Sequence, residues 1–311
     1  MSGTSSTQGL WRPDRTIEII AGTPPGGGLD RTARALAQSI ESQKLVDAPV
    51  KVINMPGDGS RKIWAYLDRF PNDAHVLVVS SPNVTTDNLT GQTAFDHDTY
   101  TPLAILHNEY IAFVAHTGAP VRNGAQLMAR LADDAGSLTV AVATSAGNPN
   151  HIALARVTQH VGGNVRALKV SAFDSARHAV AAVVAGGADI GAISAASAVP
   201  ELVDGTLCAL AVSAPARLIG PYAQTPTWVE QGVDCVVGAW RGVDGARGLT
   251  TAQIEFWDKV LAAATACGEW KSSILLHHWS EMYRGSAELR DYLPRERAGM
   301  RALLDELCLL R

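Results

Sequence analysis

An α/β fold of two lobes joined by two chain crossings is predicted by three observations. Short β-branched strands alternate with helical segments along most of the chain, and that alternation builds parallel sheets with helices on their faces. It breaks at Gly118-Ala119-Pro120 and then restarts. The length of 311 residues corresponds to two domains at roughly 100–200 residues each. The expected division is 12–117 plus 237–311 for one domain and 118–236 for the other. The chain then crosses near residue 117 and returns within Val236–Val243, which makes a hinge.

The elements follow in order. Thr16–Ala21 alternates and is β-branched, so it reads as a strand. Thr23–Gly28 (TPPGGG) admits no regular structure. Ala33, Leu36, Ala37 and Ile40 then fall on one helical face. Val50–Asn54 is a strand, Met55–Ser60 a loop, Ile63–Phe70 a helix and His75–Ser80 a strand. Tyr110–His116 reads as a long strand. In the second unit the helices are Gln126–Leu131, Ile152–Val161 and Ser175–Ala185. Its strands are Leu138–Ala143, Arg166–Val170, Ala188–Ile193 and Leu207–Val212. Thr250–Leu310 reads as mostly helical.

Composition narrows the partners. Hydrophobic residues make up 47% and charged residues 18% of the chain, enough to bury a core. The net charge of −4 argues against nucleic acid and against an anionic membrane surface. Apolar runs such as Val180–Val184 and Ile274–Leu276 are far short of the ~20 residues of a membrane span. Cys208, Cys235, Cys267 and Cys308 form no CxxC pair. They read as buried small hydrophobes, with a Cys208–Cys235 disulfide as the alternative. Met1–Leu10 is polar and uncharged, unlike a signal peptide.

Two loops carry the chemistry. Thr23–Asp30 (TPPGGGLD) lies between a strand and a helix, where α/β sheets place ligands. Its glycines let backbone approach a guest, and the helix start directs free N–H groups and a positive dipole end there. The pattern is neither GxxxxGK[ST] nor GxGxxG, so a nucleotide is not expected. Asp30 is expected to cap the helix. Thr144–His151 (TSAGNPNH) occupies the same place in the second unit. Together the two turns are expected to hold an anion with no lysine or arginine. Ser80 and Ser81 after one strand, Asp174 and Ser175 before a helix, and Ser194 at a strand end are expected around the remainder. Asp174 is read as a helix cap. Arg31 and Arg34 are placed on the exposed side of the first helix, with Arg31 within reach of its start. Trp240 and Trp257 are read as core or hinge packing, and Arg241 as pairing with an acid across the hinge.

These stretches resemble the solute-binding receptors of tripartite tricarboxylate transporters, the Bug receptors, and most of all their tricarboxylate-receptor branch. The resemblance runs from Trp11 to Leu310. It is carried by Ile17–Arg34, Val52–Gly59 (VINMPGDG), Tyr100–Leu106 (YTPLAIL), Thr144–Ala153, Ala185–Ile190 (AGGADI) and Ala239–Val243 (AWRGV). It implies a periplasmic-binding-protein-like, type II Venus flytrap with two mixed sheets flanked by helices. It also implies capture of a di- or tricarboxylate in the interdomain cleft, often through ordered water. By position, Pro25, Gly26, Gly27 and Gly28 with Asp30, and Ser145, Ala146, Gly147 and Asn148 with His151, would grip one carboxylate, with Thr23 and Thr144 as further ligand-binding residues of the same turns. Ser80, Ser81, Asp174, Ser175 and Ser194 would surround the rest. The implied partners are that small carboxylate and the transporter's membrane components. The implied compartment is the periplasm, and no cofactor, metal or nucleic acid is expected; a monomer is the default. Gly57–Lys62 is more charged than the family's loop, and Asp244–Gly248 lacks the family's proline. Two alternatives stand beside the receptor. One is a hydrolase built on Ser145, with His151, His160 or His178 as base and Asp174 or Asp189 as orienter. The other is a cytoplasmic carboxylate sensor.

Overall fold

The computed structural model describes residues 11–310, so the compartment signal sought in Met1–Leu10 lies outside the described residues. The first sheet opens with β1 (Ile17–Ala21), α1 (Gly28–Ser42), β2 (Val50–Asn54), α2 (Lys62–Leu67), β3 (Val76–Ser80) and α3 (Asn83–Leu89). β1 lies between β2 and β3, parallel to both. β3 (VLVVS) is buried at all five positions, as expected for a strand covered on both faces. Ala33, Leu36, Ala37 and Ile40 form the buried face of α1.

The expected strand Tyr110–His116 is the end of a longer one, β4 (Thr101–His116). Its first nine residues are hidden in the sequence by Pro102 and by the polar His107, Asn108 and Glu109; Thr32 partners His107, and Arg241 and Trp279 partner Glu109. After it come α4 (Gly124–Asp133), β5 (Thr139–Ala143), α5 (Pro149–His160), β6 (Lys169–Phe173), α6 (Ala176–Val184), β7 (Ile190–Ser194), α7 (Val199–Val203) and β8 (Leu207–Val212). The strand expected at Arg166–Val170 starts later, because Val165–Ala167 forms a 3-10 turn capped by Asn164. The chain returns through β9 (Gly238–Gly245) to α8 (Thr251–Ala266), α9 (Gly268–Leu276), β10 (Ser280–Gly285) and α10 (Ser286–Glu306). β10 interrupts the expected helical tail, and its register explains it: Ser280–Gly285 pairs antiparallel with Ala104–Asn108 of β4.

β4 belongs to both sheets. Residues 101–110 pair with β9, and residues 111–116 pair with β7 and β8. Alternate side chains of its second half enter opposite cores: Ile111, Phe113 and Ala115 one, Ala112 and Val114 the other. The two crossings meet at buried Ser213. Its Oγ accepts from Ile111 N–H (2.9 Å), its own N–H donates to the Ile111 carbonyl (2.8 Å), and its carbonyl accepts from Val237 N–H (3.0 Å). At the C-terminal end of α10, Leu304 and Leu307 pack on Ile152 and Ala155 of α5 and on Leu89 of α3. The end of the chain thus straps one lobe to the other.

The four cysteines are free, so the Cys208–Cys235 bridge does not form, and Cys308 is exposed rather than buried. Among the described residues no helix is long and apolar enough to cross a membrane.

Candidate functional site

The first turn is self-supporting. Gly26 adopts φ +81, open to glycine and costly for other residues. Gly27 is the N-cap of α1 and has no side chain to cap with; a Cβ there would lie 2.5 Å from Thr23 Oγ1. Asp30, expected as the cap, sits in the first turn of the helix and looks backward. Its carboxylate accepts from Gly26 N–H (2.7 Å), Asn54 Nδ2 (2.8 Å) and Arg34 Nε (2.9 Å). Thr23 Oγ1 takes the capping role, accepting from Asp30 N–H at 3.2 Å. Burial pushes the Asp30 carboxyl up, but Arg34 and the two N–H donors outweigh it and hold the pKa below its ordinary value.

The second turn is held from outside. Thr144 and Gly147 take positive φ (63 and 85). Asn148 caps α5 by accepting from His151 N–H (3.1 Å), with Pro149 in the first helical turn. Three groups from the first lobe reach across. Asn83 Nδ2 donates to Thr144 Oγ1, Gln92 Nε2 to the Ala146 carbonyl (3.0 Å), and Ser145 Oγ donates to Asp87 Oδ1 (2.7 Å). Burial raises the Asp87 pKa, with Ser145 and Arg61 opposing it. His151 accepts from Gly147 N–H through Nδ1 (3.0 Å), and burial lowers its pKa to about 4, so the ring is neutral.

The two turns face each other across a narrow cleft. Of the residues expected at the ligand, Thr23, Gly28, Ser81, Thr144, Asn148, Ser175 and Ser194 line it. Pro25 and Gly26 lie exposed beside it, Gly27 and Asp30 behind it, and Ser80 is buried outside the lining. Ala146, Gly147 and His151 line a different surface cleft, against Cys308–Leu310. Ser145 is spent on Asp87. Asp174 is exposed and caps nothing; Ser175, one residue nearer the helix, accepts from His178 N–H (3.2 Å) and caps α6. The lining residues missed from sequence include Ser60, Asn83, Asn150 and Arg241. Each lies in or beside a stretch singled out there; which side chains turn inward was not visible in the order of residues. The cleft leaves about 40 Å³ for the centre of a water-sized guest, enough for on the order of three waters.

The expectation of a site without cations is corrected by what lies beneath α1. Glu109 of β4, its side chain 1% exposed, accepts from Arg241 Nη2 and from Trp279 Nε1 (2.9 Å). Arg31 was placed on the exposed side of α1, yet its side chain is only 14% exposed, 3.8 Å from Glu109. It donates to the Gly26 carbonyl (2.9 Å) and, across the lobes, to Ser197 Oγ (3.0 Å). Helical period alone put it outward; a buried acid under the helix start draws it in. Arg34 is half-exposed, as expected. Burial pushes the Glu109 carboxyl up, but Arg241 and then Arg31 outweigh it and hold its pKa at about 2. Two guanidiniums against one carboxylate leave one positive charge in surplus at the cleft floor. Trp240 and Trp257 are buried, and Trp240 Nε1 donates to Glu296 (2.6 Å).

No family model and no curated protein matches this chain. Solved structures do. It is similar to the periplasmic binding protein BugD at a TM-score of 0.84 and 18% identity, over 96% of this chain and 99% of that one. It is similar to MatC from Rhodopseudomonas palustris with bound malate at 0.82 and 20%, over 94% and 99%. A second R. palustris protein, with adipate, gives 0.86 and 18%, over 95% and 98%. The chain has the two-lobed periplasmic-binding-protein fold. BugD bears the name of the receptors that the motifs resemble, and the expected fold class is borne out. Concave clefts between domains are common places for a guest.

Proposed function

We propose that this chain is a Bug-type solute-binding receptor of a tripartite tricarboxylate transporter. It captures a small carboxylate between its lobes outside the cytoplasm and presents it to the transporter's membrane components. The observation that carries the reading is the meeting of two amide- and hydroxyl-rich turns, one per lobe, across one cleft. The malate and adipate in two proteins of the same fold support it. The lobes would be 12–117 with 237–311, and 118–236. The ligand would rest on Thr23, Gly28, Ser81, Thr144, Asn148, Ser175 and Ser194. The arrangement is closed and narrow, so a guest enters when the lobes part about Ser213.

The hydrolase alternative loses support at its nucleophile. Ser145 Oγ donates to a carboxylate, and His151 directs Nδ1 at Gly147 N–H. The Ser145–His151 pair on which that reading rests is therefore not formed.

A thermal-shift panel of mono-, di- and tricarboxylates tests the proposal. A carboxylate present at 100 times its Kd stabilises by about 2.7 kcal/mol, which raises the melting temperature by several degrees. Gly27→Asp abolishes the rise, because its side chain would collide with Thr23 and set a negative charge at the helix start. A folded protein whose melting temperature ignores every carboxylate would refute the proposal.

A further inference from the structure

We infer that Arg241 selects the ligand by charge, and that the ligand is a short acid with one carboxylate, a hydroxy or oxo monocarboxylate, rather than a di- or tricarboxylate. The inference rests on the carboxylate-receptor reading above and narrows it.

Helices α1, α3, α5 and α6 start at this cleft, and they are not equivalent; at α3 the Asn83 N–H donates to Ser81 Oγ (3.3 Å). Asn148 caps α5 and Ser175 caps α6 with their own side chains. α1 has no side-chain cap at Gly27, and the Gly28 and Leu29 N–H groups have no acceptor among the described residues. Gly28 and Leu29 both line the cleft. The guanidinium of Arg241 lies at the same spot: a Cβ on Gly28 would be 3.4 Å from its Nη2 and 3.8 Å from its Nε. That Nε is buried and unpartnered, in a residue only 9% exposed. Its other edges are used, by Glu109 and by the Ala239 and Trp240 carbonyls. Two free amides and one free guanidinium N–H therefore lie near one place, a match for a single carboxylate.

The rest of the lining is neutral. Arg241 is the one ionised side chain on the cleft wall, and the polar groups opposite it are hydroxyls and amides such as Ser81, Asn83, Thr144, Asn148 and Asn150. Asn83 donates to Thr144, Thr144 to the Ala143 carbonyl, and Asn148 to the Ala143 carbonyl and Asn150 Oδ1; the Ser81 hydroxyl and the Asn150 amide nitrogen have no acceptor among the described residues, and such donors suit a hydroxyl or oxo group. A second carboxylate placed there would meet no counter-charge on the lining, and closing over it would leave an unpaired buried anion. The surplus beneath the cleft is one positive charge, and the room is small; both fit a short monoanion.

Calorimetry on the unaltered protein provides the decisive ladder: lactate, glycerate and 3-hydroxybutyrate against succinate, malate and citrate, with lactamide as the uncharged control. The hydroxy monocarboxylates should bind roughly tenfold or more tighter than the dicarboxylates, with no binding of lactamide. Arg241→Gln should weaken the best monocarboxylate by roughly tenfold or more, while Arg241→Lys, which keeps the charge, should preserve the ranking. Tighter binding of succinate, malate or citrate, or an Arg241→Gln protein within about twofold of the original, would overturn the inference while leaving the receptor reading intact. If no carboxylate of any charge binds, the receptor reading falls and this inference with it. The ladder needs no variant, so it decides even if Arg241→Gln does not fold.

Discussion

The two turns that face the cleft occupy equivalent places in their lobes but are held in different ways. The first is braced by its own lobe: Thr23, Asp30, Arg34 and Asn54 fasten it, with Arg31, Glu109 and Arg241 below. The second keeps its helix cap but is gripped by Asn83, Asp87 and Gln92 of the opposite lobe. The first turn is therefore preformed whether the cleft is open or shut, whereas the second is completed by closure. If the proposed function holds, the guest is caught on the rigid turn and the other closes over it.

The largest expected effect tests what lies under the rigid turn. Glu109→Gln leaves two buried arginines without their shared acid and should cost about 3–5 kcal/mol in urea unfolding at neutral pH. The effect has a pH signature. Glu109 has a folded pKa near 2, below its ordinary 4.5, so its stabilisation is complete above 4.5 and is lost as pH falls from there toward 2. The stability gap between the two proteins should be flat above about pH 5 and should narrow below it; a gap that ignores pH would mean that Glu109 acts by packing alone.

Asp30→Ala should rank next. It strands the Gly26 N–H and Asn54 donors, at about 1–3 kcal/mol, and the loss should appear equally with and without ligand. A loss seen only in the ligand-bound protein would remove the distinction between the turns. Ser145→Ala should be the smallest, about 1 kcal/mol, and expressed in closure rather than in folding. Small-angle scattering should show a larger radius of gyration for the ligand-free variant, with an unfolding midpoint close to that of the original. An unchanged radius with a lowered midpoint would mean that Ser145 is an ordinary core contact.

Residue order alone determined the alternation of elements, the inward face of α1, the two strand-to-helix turns that face the cleft and the return of the chain through β9. Each of these rests on near neighbours: periodicity, glycine, proline and cap residues act within a few positions. It did not determine what depends on partners remote in the chain. The first half of β4 is not legible as a strand in the sequence; it holds Glu109, whose partner Arg241 lies 132 positions later. β10 is a strand because β4 offers it an edge. Asp30 and Asp174 look alike as caps, yet Asp30 is taken by Arg34 and Asn54 while Asp174 is displaced by Ser175. His151 and Ser145 belong to a ligand turn by sequence, but packing directs one away from the cleft and commits the other to Asp87. Only the tertiary structure placed a surplus positive charge beneath the cleft, because pairing among buried ions depends on distances in space that residue spacing does not fix.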